Sequence, residues 1–187
     1  MSRVRKPARL CVAMLTLAAS IVVAIGVQAP AAFAWVSEGC KWSSATVYYA
    51  NDLKTTSAYH PLVGNAATDW TATPTPLYVY EGGVNWDIAA YDDGNTGYDG
   101  LTSWSCNGSH HFTDVLSYWN TSYTNAYSTN GKIQVMVHEM GHGLGLAHAG
   151  GSSCSGQPIM YYSSDRYFSC NHVVPQTDDI NGINALY

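Results

Sequence analysis

Beyond residue 34 the chain sets short runs of β-branched and aromatic residues between stretches of helical periodicity. Ala45-Thr46-Val47-Tyr48-Tyr49-Ala50 predicts a strand, and Asn51-Asp52 ends it. From about Thr55 to Thr71, Leu62, Val63, Ala66, Ala67 and Trp70 share one helical face; Pro61 suits the first turn, and Thr73-Pro74-Thr75-Pro76 stops the helix. Leu77 to Tyr80 and Trp86 to Tyr91 read as strands on either side of Gly82-Gly83, Tyr98 to Cys106 as an edge strand, and Val115 to Trp119 as another strand. A helix is predicted from about Gly131 to Gly143, with Ile133, Val135, Met136, Val137 and Met140 apolar. A last helix runs from about Gln176 to Leu186, capped by Thr177 and Asp178.

The first 34 residues follow a different rule. Arg3, Arg5, Lys6 and Arg9 precede an apolar run from about Leu10 to Val27 and small residues ending in Ala32-Phe33-Ala34, with no acid among them. That is the layout of a secretory signal peptide, cut so that the mature chain begins near Trp35. A membrane anchor is the competing reading, because the apolar run approaches spanning length. The A-x-A site and the lack of flanking stop-transfer charges favour cleavage and no stable membrane association. The remainder of the 187 residues is one domain's worth of chain, so residues 35–187 are expected to fold as a single domain.

Charge and cysteine usage agree with export. Residues 1–34 hold four of the eight Lys and Arg and none of the thirteen acids, so the rest carries a formal charge of −9. An acidic surface argues against nucleic acid as a partner, for which a basic stripe is expected, and it gives solubility, consistent with a monomer. With Cys11 in the signal, Cys40, Cys106, Cys154 and Cys170 remain, an even number that favours two disulfides. Three pairings are possible; Cys154–Cys170, closing a short loop, with Cys40–Cys106 is preferred, and a cysteine metal site is disfavoured because no CxxC spacing occurs.

The candidate chemistry lies in His138-Glu139-Met140-Gly141-His142-Gly143-Leu144-Gly145-Leu146-Ala147-His148, of the form HExxHxxGxxH. Histidines four apart on a helix lie one turn above each other and can reach one ion at about 2.0–2.1 Å. Gly145 can reverse the backbone at positive φ, letting His148 approach from a third direction. Three ligands leave a fourth position for water, the mark of a catalytic rather than a structural zinc, and Glu139 is placed to take that water's proton. At ordinary residue frequencies the five fixed positions match by chance in on the order of one such chain in a hundred thousand. Histidines that merely pack a helix are therefore a poor explanation.

On these residues the chain resembles the metzincin metallopeptidases, whose histidine pattern is followed by a Met-turn, here Pro158-Ile159-Met160-Tyr161-Tyr162. Within them it is most similar to the matrixins, the matrix-metalloprotease-like branch, through Tyr98-Asp99-Gly100 and the terminal Asp178-Asp179-Ile180-Asn181-Gly182-Ile183-Asn184-Ala185-Leu186-Tyr187. The resemblance implies an α+β, metzincin-type zincin fold: a twisted, mostly parallel five-stranded sheet with an active-site helix and a C-terminal helix. It implies a secreted zinc metalloendopeptidase with one catalytic Zn2+ on His138, His142 and His148, Glu139 as general base, Met160 beneath the imidazoles, and protein or peptide substrates. A tyrosine approaching the metal would be Tyr162, as in the astacin and serralysin branches, or Tyr161, which directly follows the methionine as in matrixins. Two matrixin features are not recognisable, the histidine and aspartate pattern of a structural zinc site and a cysteine-bearing propeptide before Cys40, so latency by a cysteine switch is not expected.

Several other features have a bland reading beside the functional one. The Asp92-Asp93-Gly94-Asn95-Thr96-Gly97-Tyr98-Asp99 loop could hold calcium, but it matches no EF-hand spacing and reads first as a solvated turn cluster. His110 and His111 could bind a second metal, yet neighbours in a strand point to opposite faces. His60 and His172 read as surface or hydrogen-bonded residues. Substrate is expected to pair with the edge strand from Leu101 to Cys106, with Tyr161, Tyr162, Tyr167 and Phe168 walling an apolar or aromatic pocket. A non-catalytic aromatic binding module, built on the tyrosines and tryptophans, and zinc hydrolysis of a non-peptide bond are the rival readings.

Overall fold

The computed structural model describes residues 35–151 and 153–187. The signal-peptide expectation for residues 1–34 lies outside the described residues, and no described helix is long and apolar enough to cross a membrane. In chain order the elements are β1 (Val36–Ser37), β2 (Thr46–Asn51), α1 (His60–Thr71), β3 (Tyr78–Glu81), β4 (Trp86–Tyr91), β5 (Gly100–Cys106), β6 (Phe112–Asn120), α2 (Thr121–Thr124), α3 (Thr129–Gly143) and β7 (Leu146–Ala147). A 3-10 turn (Cys154–Gly156), α4 (Asp165–Phe168) and α5 (Thr177–Leu186) follow.

Five strands form one sheet in the order β3-β2-β4-β6-β5. β2 runs parallel to β3 (Thr46 opposite Tyr78) and to β4, β4 runs parallel to β6 (Trp86 opposite Val115), and β5 alone is antiparallel to β6 (Gly100 opposite Trp119). The α+β class and the mostly parallel five-stranded sheet expected from the sequence are present. Period-2 alternation decides the buried face: Val47, Tyr49, Val79, Trp86, Ile88, Val115 and Trp119 are buried, while Tyr48, Tyr78 and Tyr80 are exposed. α1 and α3 bring Leu62, Val63, Ala66, Trp70, Val135, Met136 and Met140 into the same core.

Boundaries differ from the sequence pattern where turns intervene. α1 starts at His60 rather than near Thr55, because turns closed by Ser57 N–H to Lys54 O and His60 N–H to Ser57 O occupy the preceding residues, and Pro61 takes its place in the first turn. β6 begins at Phe112, ahead of the expected Val115. α5 is capped by Gln176 with Asp179 in a capping box, not by Thr177 and Asp178. Both preferred disulfides are formed, Cys40–Cys106 and Cys154–Cys170.

α3 is held by tryptophans arriving from three separate segments. Trp70 Nε1 donates to Val137 O at 2.8 Å, Trp119 Nε1 to Lys132 O at 2.7 Å, and Trp42 Nε1 to Gly143 O at 2.8 Å. A buried indole needs an acceptor, and a helical carbonyl retains a second lone pair, so each bond fixes α3 without breaking its own ladder. Close approach also requires Gly141: a Cβ there would lie 2.2 Å from Met160 Sδ and 3.1 Å from Trp70 Cζ2. Gly141→Ala should therefore destabilise the fold by about 1–3 kcal/mol by overpacking. Gly64→Ala, inside α1 with nothing within 4 Å of its Cβ, should be neutral or stabilising by up to about 1 kcal/mol. Thermal unfolding of the two variants checks the contrast; equal effects would show that the Met160 contact does not constrain α3.

Candidate metal centre and active site

His138 and His142 occupy one face of the last turns of α3, and His148 follows β7. Between them Gly145 adopts φ of 101°, the left-handed conformation open to glycine, and so turns the chain back. β7 then pairs antiparallel with β1, placing Val36 opposite Ala147 and Ser37 opposite Leu146, and Glu38 N–H donates to Gly145 O at 2.9 Å. This small two-stranded sheet fixes the segment that carries His148. His138 and His142 are buried, whereas His148 is exposed.

The three Nε2 atoms lie 3.2 Å from one another in every pairing. For His138 and His142 the tautomer follows from the opposite ring nitrogen. His138 Nδ1 lies 2.7 Å from Ile159 O, and His142 Nδ1 lies 2.8 Å from Leu146 O and 2.9 Å from Glu38 Oε1. Carbonyl and carboxylate oxygens only accept, so Nδ1 carries the proton in both rings and Nε2 presents a lone pair. His148 Nε2 meets these two lone pairs at the same point, and a cation is the group that can bind all three nitrogens at once. The spacing suits one: a tetrahedral ligand set at about 2.0–2.1 Å has edges of about 3.3–3.4 Å. Three neutral imidazole nitrogens are a donor set that fits Zn2+ and leaves a fourth position. Among the described residues these three histidines are the one group of three or more His, Cys, Asp or Glu gathered closely enough to share an ion.

Glu139 points into the cavity that the histidines line, a space of about 690 Å³ bounded also by Gly100, Leu101, Thr102 and Tyr162. Its Oε2 accepts the Thr102 hydroxyl at 2.8 Å, and Thr102 Oγ1 lies 3.0 Å from Ser117 Oγ, which in turn accepts Trp86 Nε1 at 3.1 Å. Burial pushes the Glu139 carboxyl above its ordinary value, against the pull of His142, the Thr102 hydroxyl and Arg166. A carboxylate raised toward neutrality and held by one hydroxyl is suited to accept a proton. β5, outermost in the sheet and paired with β6 on one side, runs along the same cavity.

The remaining candidates separate. Met160 is 1 % exposed and packs against α3 at Gly141. Tyr162 is 68 % exposed and lines the cavity; the Tyr161 ring packs against it at a tilt, 4.5 Å between centroids, and is not part of the lining. Tyr167 and Phe168, expected as pocket walls, do not reach the cavity: Tyr167 hydrogen-bonds Ser128 and Phe168 packs against Tyr127. His110 lies in the β5–β6 turn at φ of 58°, and His111 bridges Lys41, so neither joins a metal-binding group. In the Asp92–Asp99 loop, side-chain oxygens of Asp92, Asp93 and Asn95 are engaged by Ser122, Tyr118 and Tyr123, and the loop holds no close group of three acids.

Two residues outside the motif complete the centre. Glu38 orients His142 from a segment 104 positions away. Asp179 accepts the Ile159 and Met160 N–H groups at 2.7 and 3.2 Å and the Gln176 N–H at 2.7 Å, so the cap of α5 also fixes the turn whose Ile159 carbonyl holds His138. Neither was identified from the sequence; the paired Asp178-Asp179 at a helix start was the only available signal.

The model of the matrixin family matches residues 87–187. Human matrix metalloproteinase-26 is 30 % identical over 168 residues, covering 79 % of this chain and 60 % of that protein. A Spodoptera frugiperda ascovirus 1a protein named for matrix metalloproteinases is 38 % identical over 76 residues, 40 % of this chain and 19 % of that protein. The chain thus spans less than two thirds of either relative.

A carboxylate on the far nitrogen of a metal-binding histidine supports both its tautomer and its basicity. Glu38→Ala should weaken zinc binding by about tenfold, toward the low end of the usual range because Leu146 O remains as acceptor. Competition with a chromophoric chelator reads the change, and unaltered affinity would show that the Leu146 carbonyl suffices alone.

Proposed function

Because the chain belongs to the matrixin family, we propose that residues 35–187 form one secreted, monomeric catalytic domain, released by signal cleavage after Ala34, that hydrolyses peptide bonds with a single zinc ion. The observation that carries this reading is the convergence of the His138, His142 and His148 Nε2 atoms at 3.2 Å beside the buried Glu139 carboxylate. Zinc, when bound there, supplies a Lewis acid that acidifies water and polarises the scissile carbonyl.

The chain's own groups do the rest. The open edge of β5 receives an extended substrate by main-chain pairing, which aligns the scissile bond with the histidines and accounts for affinity more than for sequence choice. Glu139 accepts the proton of the attacking water and returns it to the leaving amine, so no covalent intermediate is required. The Thr102 hydroxyl keeps the carboxylate turned toward the cavity. Of the two candidate tyrosines, the position of Tyr162 on the cavity wall favours it as the one that meets the reacting carbonyl. Calcium is left out of this reading, since the Asp92–Asp99 loop gathers no close group of three acids and one oxygen each of Asp92, Asp93 and Asn95 is already hydrogen-bonded.

Glu139→Gln preserves size and the Thr102 contact while removing the basic oxygen. Casein or peptide hydrolysis should fall by at least about a hundredfold, the scale of general-base catalysis, with one zinc per chain retained. Undiminished hydrolysis in that variant would overturn the mechanism, and hydrolysis that survives chelation would overturn the role of zinc.

A further inference from the structure

Arg166 is the only arginine after residue 34. It sits on α4, is 2 % exposed, and nevertheless borders the same cavity as His138 and Glu139. A guanidinium stays charged at any ordinary pH and carries five N–H donors. Here its partners are neutral. Nη1 donates to Tyr161 O at 3.1 Å, while Nε and Nη2 meet the buried Gln134 side chain once the amide oxygen is turned toward them, Nη2 at 2.7 Å. Two N–H groups remain beyond these three bonds.

No carboxylate among the described residues stands within ion-pair distance of Arg166. Asp99, on the cavity wall, is committed elsewhere: its Oδ2 accepts the Ser164 hydroxyl and lies 3.5 Å from the Tyr127 hydroxyl. Asp99 and Glu139 therefore act on the guanidinium through space and do not neutralise it by contact. A desolvated cation with neutral hydrogen-bond partners is an expensive feature unless an anion completes it. The cavity is where an anion can arrive, and the planar fork of donors matches a carboxylate. The aromatic rings of Tyr127 and Tyr162 on the same wall would cover the aliphatic stem of such a side chain.

We propose that Arg166 makes this cavity an acid-selecting pocket, so that the substrate residue whose side chain enters it is glutamate or aspartate rather than the apolar or aromatic residue the tyrosine-rich sequence suggests. The inference rests on the peptidase reading. Arg166 is a specificity determinant and takes no part in bond breaking.

The test is a set of otherwise identical peptides with Glu, Gln, Asp, Asn or Leu at each position flanking the scissile bond, cleaved by the zinc-loaded chain. At one of these positions kcat/KM for Glu should exceed that for the isosteric Gln by about tenfold, the gap between charge-assisted and neutral hydrogen bonds. Because the ratio is taken within one protein, it does not depend on the folded fraction. It should fall to about one in Arg166→Met. In Asp99→Asn, which leaves every Arg166 partner in place, it should rise, since a competing negative charge is gone. Leu as the best substrate with Glu no better than Gln, or ratios unchanged in both variants, would overturn the proposal while leaving the peptidase reading intact. Failure to cleave any peptide would instead overturn the peptidase reading and the pocket with it.

Discussion

Three imidazole nitrogens meet at one point, 3.2 Å apart in every pairing, and the rest of this structure is arranged to hold them there. His138 and His142 are locked from behind, each with Nδ1 against a backbone carbonyl, and His142 also against Glu38, while the exposed His148 follows the strand that pairs with β1. A cation bound there would be held by rings whose orientation these contacts set.

The supports come from far along the chain, which ties the site to the fold. The carbonyl behind His138 belongs to the turn carrying Met160, and that turn hangs from the capping carboxylate of Asp179 at the start of α5. The segment bearing His148 is fixed by β1 through β7, and α3 is pinned by indole N–H groups of Trp42, Trp70 and Trp119. Each of these supports acts on the imidazole triangle from outside the three ligand nitrogens. A pocket built at one edge of that triangle, on the buried Arg166, then shares the stiffness of α3 and the Met160 turn through Gln134 and Tyr161.

Much of this was legible in the sequence because its signals are local. The HExxHxxGxxH spacing encodes helix periodicity, a positive-φ reversal and a third ligand within eleven residues; short β-branched and aromatic runs marked the strands, and the family resemblance supplied their arrangement in one sheet. The α1 apolar face was equally plain, although its start was blurred by the turns before Pro61. What escaped was non-local. Nothing in the sequence near Glu38 points to His142, since a lone acid in a short segment reads as surface. Asp179 looked like one of two helix-start acids, and only the tertiary structure separates the one that holds the Met160 turn. Tyr167 and Phe168 lie close to the motif in sequence, yet α4 turns them away from the cavity and presents Arg166 instead.

The central claim is an open, three-nitrogen zinc site, and zinc K-edge X-ray absorption of the metal-loaded protein tests it most directly. Three imidazole nitrogens and one light oxygen donor at about 2.0–2.1 Å are expected. A sulfur shell at about 2.3 Å, or a fourth protein ligand closing the site, would contradict it.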